Sequence, residues 1–214
     1  MADVKIGRMV LGLYQTNCYF VYDEDQEGSE KDVLFFDPAD KGAYIYDQLK
    51  SKGFRVAAIF LTHAHFDHIW GVQELRGKSG AKVYAYEAEQ PLCESSETNV
   101  SARVGRPCTI KPNGYLKDGE EITVAGMTCR VIATPGHTIG SCCYYFKEAG
   151  ILISGDTLFQ ESVGRTDLPT GSGGQLGRSI KEKLMPLSDD TKVYPGHGDM
   201  TTIGHERAYN PFCS

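Results

Sequence analysis

The sequence predicts a mixed α/β fold whose strands pack as a sandwich, and two observations lead to this prediction. Four strand-like apolar runs, at residues 56–61, 129–133, 150–153 and 192–194, each end at a segment that contains histidine or aspartate. Helical periodicity appears between strands, as over residues 43–52, where apolar residues recur on one face and Gly53 supplies a stop signal. The 214 residues can bury a sizeable core, and we expect residues 1–214 to form a single domain.

Composition and charge argue against several classes of partner. The chain is 41% hydrophobic and 23% charged, which is ordinary for a globular protein, and its net charge of −6 argues against nucleic acid. No apolar stretch approaches the 18 residues of a membrane span, and the N-terminus lacks the features of a signal peptide. Seven cysteines without a CxxC pair are typical of reduced thiols. We therefore expect a cytoplasmic protein that acts on a small molecule.

The remaining elements are predicted in chain order from apolar periodicity and from turn residues. Strands are expected over 5–13, 17–22, 33–36 and 82–86, with short strands near 118–127. Helices are expected over 87–93 and 179–187, from about residue 69, and from residue 201 to the residues before Pro211. The polar segment 94–112 is long enough for a lid over a site, but a flexible surface loop explains it equally well.

The densest set of metal-binding side chains follows the apolar run 56–61. His63, His65, Asp67 and His68 lie within six residues, and burying such groups without partners would cost about 2–7 kcal/mol each. On an extended strand end His63 and His65 project to the same side and can share one ion. Asp67 and His68, after the chain turns, can reach a second ion. A polar loop with incidental histidines is the alternative, and later segments argue against it.

Three later segments each place one metal-ligand side chain beside a glycine, where proline ends the strand and glycine permits a tight bend. They are Pro135-Gly136-His137, Gly155-Asp156 and Pro195-Gly196-His197. Five of the six histidines fall within these four segments. The sixth, His205, is predicted to be an exposed helix residue rather than a ligand.

The HxHxDH signature at residues 63–68, followed by His137, Asp156 and His197, resembles the metallo-β-lactamase superfamily over nearly the whole chain. The resemblance implies a four-layer αββα sandwich with a metal site at the strand ends along one edge. It also implies a first ion held by three histidines and a second held by an aspartate and two histidines, with one aspartate bridging them. These sets are His63, His65 and His137; Asp67, His68 and His197; and the bridging Asp156.

The same resemblance implies metal-assisted hydrolysis by two divalent ions. An all-nitrogen-and-oxygen ligand set suits zinc, iron or manganese, and zinc is the metal that we expect. A water shared by two ions can have its pKa lowered to about 7, and the resulting hydroxide would attack a carbonyl group while Asp67 orients it. Beyond the ligands, the motif segments contain no obvious general acid. This favours a thiol leaving group, with a pKa of about 8.5, over an amine.

Two short segments, Gly164-Arg165-Thr166-Asp167 and Thr201-Thr202-Ile203-Gly204, resemble the short glyoxalase II-like branch of the superfamily. That branch implies a thioester or activated-ester substrate. Longer glyoxalase II enzymes hydrolyse S-D-lactoylglutathione and carry a C-terminal helical region for glutathione. Only 17 residues follow His197, so we expect that region to be absent.

Other readings of the same signature stay open. Persulfide dioxygenases resemble this chain too, and would hold one iron through His63, His137 and Asp156. Lactonases of the same fold and a non-catalytic metal-binding module are further alternatives.

Three features outside the ligand set have two explanations each. Asp37 either supports a metal-binding side chain or only forms a turn. Arg165 either binds a substrate carboxylate, as a catalytic-site residue, or orders its loop through Asp167. Residues 16–19 resemble a superfamily segment, but an ordinary turn and strand explains them equally well.

Overall fold

Two six-stranded sheets pack face to face in this protein, with helices on both outer sides. The computed structural model describes residues 2–213. The predicted four-layer αββα sandwich is therefore confirmed. Within these residues every helix is too short or too polar to cross a lipid bilayer.

The first sheet contains six strands in sequence order, and the second contains another six, of which the outermost are β14 and β7. The strands are β1 Val4–Leu11, β2 Thr16–Asp23, β3 Lys31–Phe36, β4 Phe54–Phe60, β5 Lys82–Tyr86, β6 Gly114–Leu116, β7 Glu121–Val124, β8 Met127–Ala133, β9 Cys142–Phe146, β10 Ile151–Gly155, β11 Leu158–Phe159, β12 Ser162–Val163, β13 Lys192–Pro195 and β14 Thr201–Thr202. The second sheet has the order β14-β13-β10-β9-β8-β7, while β11 and β12 form a separate hairpin.

Six α-helices lie within the described residues, and most of the predicted helices are confirmed to within a few residues. They are α1 Gly42–Ser51, α2 Phe66–Ile69, α3 Val72–Ser79, α4 Gln90–Cys93, α5 Gly173–Ser179 and α6 Ile203–Tyr209.

Side-chain alternation along the strands explains the four layers. On β3, Phe35 packs against the helices that cover the first sheet, whereas Phe36 faces the second sheet. On β8, Val131 lies between the sheets and Ile132 packs toward the helices on the other side. Phe36 meets Tyr144 of the opposite sheet with ring centroids 5.3 Å apart. Burying one such side chain contributes about 1.5–3 kcal/mol, so a slip of one residue would disrupt two cores at once.

Strand direction explains why the predicted ligand segments meet. β10 and β13 are parallel, and β8 runs the same way because both β8 and β10 are antiparallel to β9. Their carboxyl ends therefore lie at one edge of the second sheet. The first sheet joins that edge, since Cys142 N donates to Thr62 O at 2.9 Å and Asn17 N donates to Gly196 O at 2.7 Å.

The helix before the last ligand strand was wrongly predicted to begin at residue 179. Helix α5 begins at Gly173 and continues into a π-helical turn, Ile180–Leu184. Glycine costs about 1 kcal/mol in a helix relative to alanine, so the Gly-rich stretch favoured a loop. Leu176, Ile180 and Leu184 are nevertheless buried against the second sheet, and this burial outweighs the poor helix propensity.

The segment 94–112 contains no helix or strand, yet it is fixed to the molecule by hydrogen bonds. Asn99 and Ser101 are fully buried, and Asn99 O accepts a hydrogen bond from Phe66 N at 3.1 Å. Asn99 Nδ2 and Ser101 Oγ both donate to Cys108 O. The segment is therefore anchored to the molecule and contacts α2, which argues against a flexible surface loop, while its role as a lid stays a prediction.

Candidate metal centre

The seven side chains predicted as metal ligands lie together at the shared edge of the two sheets. Six of the seven form two groups, and within each group the ligand atoms lie within 4.8 Å of one another, as they do in a third set made of Asp37, His63 and His68. The first group is His63, His65 and His137, and the second group is Asp67, His68 and His197.

The first ligand group is buried, and burial favours the neutral form of its three imidazoles. His65 Nδ1 lies 2.9 Å from His137 Nε2, so two ring nitrogens point at the same place. Burial lowers the pKa of His63 and of His65 well below the usual histidine value, and lowers that of His137 as well. A neutral imidazole keeps a free lone pair, which is the form that binds a metal.

The second ligand group is more open and more strongly charged. His197 Nε2 lies 3.3 Å from Asp67 Oδ2, and His68 Nε2 lies 3.9 Å from the same oxygen. Burial opposes the charge of His68, but Asp156, Asp67 and Asp37 outweigh it and raise its pKa to about 10. A cation at this point would satisfy the same carboxylates, so a proton and a metal compete for His68.

Asp156 lies between the two ligand groups. Its Oδ2 is 3.6 Å from His137 Nε2 of the first group and 3.5 Å from His197 Nε2 of the second. Its Oδ1 is 3.4 Å from His68 Nε2. One carboxylate therefore reaches both groups, as a bridging ligand must.

Several buried atoms at this point have no hydrogen-bond partner among the described residues, and an unpaired buried polar atom costs about 1–3 kcal/mol. They are His63 Nε2, His65 Nε2, His68 Nε2 and Asp156 Oδ1. The donors are imidazole nitrogens and carboxylate oxygens, the set that divalent zinc, iron or manganese accepts. The residues present therefore fit a metal centre.

Asp37 contacts the ligands from behind, and it also forms the turn after β3, where its φ is 49°. Its Oδ2 lies 3.0 Å from His68 Nδ1 and accepts from Thr62 Oγ1 at 2.6 Å, while its Oδ1 accepts from Thr62 N at 2.8 Å. Thr62 Oγ1 in turn lies 3.1 Å from His63 Nδ1. Both predicted roles of Asp37 are therefore present. The sequence reasoning did not identify Thr62, which links one histidine of each group.

Backbone carbonyl groups orient the histidines that come from the second sheet. His137 Nδ1 donates to Arg165 O at 2.7 Å, and His197 Nδ1 donates to Tyr14 O at 3.1 Å. With Nδ1 fixed as the donor, Nε2 of each ring keeps its lone pair and faces the other ligands.

Residues 16–19 are part of this support, although an ordinary turn and strand explained them equally well in the sequence. Asn17 is buried, and its Nδ2 donates to Pro195 O and Gly198 O, each at 2.9 Å. Tyr19 OH donates to Pro195 O at 2.9 Å. These contacts hold both ends of the turn that carries His197.

A glycine at position 196 is required by the crowding of this turn. A Cβ atom there would lie 2.2 Å from Asp156 Oδ1 and 2.7 Å from His68 Cε1. Any other residue would therefore push a side chain into the ligand cluster.

Arg165 pairs with Asp167 in the structure, as one of its two predicted explanations requires. Nε and Nη2 of the guanidinium each lie 2.7 Å from a carboxylate oxygen, and the pair holds the pKa of Asp167 at about 2. The Arg165 side chain is 62% exposed and also lines the cleft at the ligand cluster. Binding of a substrate carboxylate by Arg165 stays a prediction.

The cleft above the ligand cluster has a volume of about 440 Å³ and walls that are largely apolar. Tyr14 and Phe66 contact each other edge to face, with ring centroids 5.0 Å apart. Five side chains form the apolar walls: Tyr14, Phe66, Phe159, Val163 and Leu168. His205 lies elsewhere, on α6, where its Nε2 is 3.0 Å from Glu161 Oε1.

Sequence comparison relates this chain to a known protein family. The family model for the metallo-beta-lactamase superfamily matches residues 11–197. The probable metallo-hydrolase YqgX of Bacillus subtilis is 40% identical, over 98% of this chain and 97% of its own length. The hydroxyacylglutathione hydrolase GloC of Haemophilus influenzae is 30% identical, over 93% of each chain.

Solved structures agree with the sequence comparison. The B3 metallo-beta-lactamase BLEG-1 superposes with a TM-score of 0.91 at 39% identity, covering 98% of this chain and all of the other. TTHA1623 in a di-iron-bound form superposes with a TM-score of 0.84 at 33% identity, covering 96% and 99%.

Proposed function

The chain belongs to the metallo-β-lactamase superfamily, and on that premise we propose that it is a metal-dependent hydrolase of thioesters or activated esters. One observation carries the proposal: the two ligand groups share Asp156 at the base of a cleft with apolar walls. Such a cleft can receive an acyl group and limit the access of bulk water.

In this proposal His63, His65 and His137 would hold one divalent ion, Asp67, His68 and His197 would hold a second, and Asp156 would serve both groups. Zinc suits this donor set, and iron is the main alternative because TTHA1623 is described in a di-iron-bound form. When bound, such ions supply Lewis-acid activation of a water molecule and of a substrate carbonyl group.

The protein's own groups position the reactants. Asp67 lies at the base of the cleft, where Thr16 Oγ1 donates to its Oδ2 at 3.5 Å. Burial opposes ionisation of Asp67, but His68 and His197 hold its pKa well below the usual range. It is therefore ionised at neutral pH and can accept a hydrogen bond from an attacking water, directing that water toward the carbonyl carbon.

The side chains around the cleft favour a leaving group that departs as an anion. Apart from the candidate ligands, the protic side chains that line it are Tyr14, Ser162 and Arg165, none of which is a strong proton donor at neutral pH. A thiol has a pKa of about 8.5 and leaves as thiolate without prior protonation, whereas an amine must be protonated. The name of the GloC relative, hydroxyacylglutathione hydrolase, supports the same choice.

Two other activities each have one supporting observation. The candidate ligand set contains no cysteine, and BLEG-1, a B3 metallo-beta-lactamase, is 39% identical, which favours β-lactam hydrolysis as a second candidate. His137 and Asp156 lie 3.6 Å apart and could bind a single iron together with His63, as a persulfide dioxygenase requires.

A substrate panel tests the proposal. We expect zinc-loaded or iron-loaded protein to hydrolyse S-D-lactoylglutathione or an uncharged acyl thioester with a higher kcat/KM than a chromogenic cephalosporin. Chelation should abolish the activity and added metal should restore it. His205→Ala is the matched control, because it removes the histidine that lies outside the cluster and should leave activity unchanged.

Two outcomes would overturn the proposal. A higher kcat/KM for the cephalosporin would assign the site to β-lactams. Oxygen consumption with glutathione persulfide, at one iron per chain and without thioester hydrolysis, would assign it to the dioxygenase reaction.

A further inference from the structure

Glu89 is a buried carboxylate outside the ligand set, and its side chain contacts two of the ligand loops. It ends the short 3₁₀ turn Glu87–Glu89 before α4, and only 1% of it is exposed. No lysine, arginine or histidine within residues 2–213 forms an ion pair with it in the structure.

Three hydrogen-bond donors surround this carboxylate. Oε1 accepts from Ala64 N at 2.7 Å, and Ala64 lies between His63 and His65. Oε2 accepts from Thr138 Oγ1 at 2.8 Å and from Gly140 N at 2.9 Å. One oxygen therefore binds the loop after β4, and the other binds the loop that carries His137.

The loop between β8 and β9 is shaped to approach Glu89 closely. A Cβ atom on residue 140 would lie 2.1 Å from Glu89 N, so only glycine allows this contact. Thr138 is held in turn by Ser141, whose Oγ lies 2.7 Å from Thr138 Oγ1 and 3.0 Å from Thr138 N. The Thr138 hydroxyl group and the Gly140 N–H are therefore held in position by contacts other than their hydrogen bonds to the carboxylate.

If position 89 served only to pack the core, an apolar side chain would stabilise the fold at least as well as a carboxylate. Burial raises the pKa of the Glu89 carboxyl, whereas its three contacts all come from donors and favour the ionised form. A buried polar group is often no more stabilising than an apolar side chain of similar volume. Its advantage here is that an acceptor with two oxygens can connect two backbone segments at a fixed separation.

We propose that Glu89 is a positioning residue for the first ligand group, setting the distance between the His63–His65 loop and His137. The proposal rests on the proposed function, since these histidines must bind an ion. It concerns the affinity of the first ion alone, because the hydrogen bonds of Glu89 in the described structure go to Ala64, Thr138 and Gly140 and not to Asp67, His68 or His197.

The test is Glu89→Gln, which keeps the shape and adds an amide donor. Whichever way the amide is turned, its NH₂ group faces the N–H of Ala64 or of Gly140, so one hydrogen bond becomes a donor–donor contact. We expect the tighter of two zinc equivalents to bind the metal-free variant about tenfold more weakly or worse, as is typical when support of a metal ligand is lost. The weaker equivalent should change much less.

Glu206→Gln is the matched control. Glu206 is also a fully buried carboxylate, and it accepts from Glu161 N, Thr201 Oγ1 and Asn210 Nδ2 without contacting a ligand loop. This variant should lower the Tm of the metal-free protein while both zinc affinities stay within a factor of two or so of wild type. A chromophoric chelator in competition measures the affinities, and the Co²⁺ absorption spectrum of the first equivalent reports its ligand geometry.

The outcomes separate this inference from the proposed function. Wild-type protein that binds no zinc or cobalt would contradict the proposed function itself. Two bound ions in wild type, with unchanged first-ion affinity and Co²⁺ spectrum in Glu89→Gln, would overturn the inference. Thr138→Val, which removes one of the three donors, should weaken the first ion to a smaller extent, and it decides the matter if Glu89→Gln does not fold.

Discussion

The two candidate ligand groups are neighbours, yet they differ in burial. His63, His65 and His137 of the first group are at most 3% exposed. In the second group His68 is buried, but the side chains of His197 and Asp67 are 28% and 14% exposed. His65 and His137 also line the cleft, so both groups border it, and the second group is the more exposed to solvent.

The surroundings of the two groups are alike in one respect and differ in another. Both groups have a carbonyl group behind one histidine, Arg165 O for His137 and Tyr14 O for His197. They differ in charge, because the first group consists of histidines alone, whereas His68 of the second group lies near the carboxylates of Asp37 and Asp67. We therefore expect the first ion to bind more tightly and the second to exchange more readily with solvent.

Removal of the shared ligand should have the largest effect. Asp156→Ala removes a side chain that contacts both groups, so we expect kcat/KM to fall about a thousandfold or more, with loss of both ions. His68→Ala should spare the first ion, and a loss of about 10–100-fold is expected. Elemental analysis of each variant, together with kcat/KM on one thioester, measures the difference.

Equal loss of both metals in both variants would contradict this separation. It would show that the two ligand groups form one cooperative site, whatever their difference in exposure.

Arg165→Lys should have the smallest effect, because the Arg165 side chain is largely exposed and is not a candidate metal ligand. If Arg165 binds a substrate carboxylate, KM for an anionic thioester should rise about tenfold, equivalent to about 1.4 kcal/mol. KM for a neutral thioester and the Tm should hardly change. The measurement is steady-state kinetics on the two thioesters, beside thermal unfolding.

Asp167→Asn is the control for this variant, because it removes the partner of Arg165 in the observed ion pair. If both variants raise KM for both thioesters and lower the Tm alike, Arg165 orders its loop and does not recognise the substrate charge.

The ligand segments were predictable because their signals are local. Each follows an apolar strand, and His137 and His197 both come directly after a Pro-Gly pair. Strand ends that lie on one edge then bring these residues together, while their division between two ions stays a prediction. The αββα fold was predictable because the family signature spans nearly the whole chain and the family has this fold.

The contacts of the supporting residues were only partly predictable, because their partners are remote in sequence. Support by Asp37 was one of two predictions, and residues 16–19 were noted only for their resemblance. The contact of Asn17 with the turn around His197, about 180 residues away, leaves no signal in its local sequence. Glu89 is a similar case, since it reads as one polar residue in a short helix. At Gly173, where α5 begins, the burial of the helix against the second sheet outweighs the low helix propensity of glycine. The single domain over residues 1–214 and the cytoplasmic location stay predictions.

Zinc titration of metal-free wild-type protein, followed by elemental analysis, tests the central claim most directly. Two ligand groups that share Asp156 predict saturation at two zinc ions per chain, with the first bound more tightly than the second. The first ion should be the one that Glu89→Gln weakens, and the second the one that His68→Ala removes. Saturation at a single ion, with zinc or with iron, would contradict the two-metal hydrolase and leave one group of side chains without its proposed role.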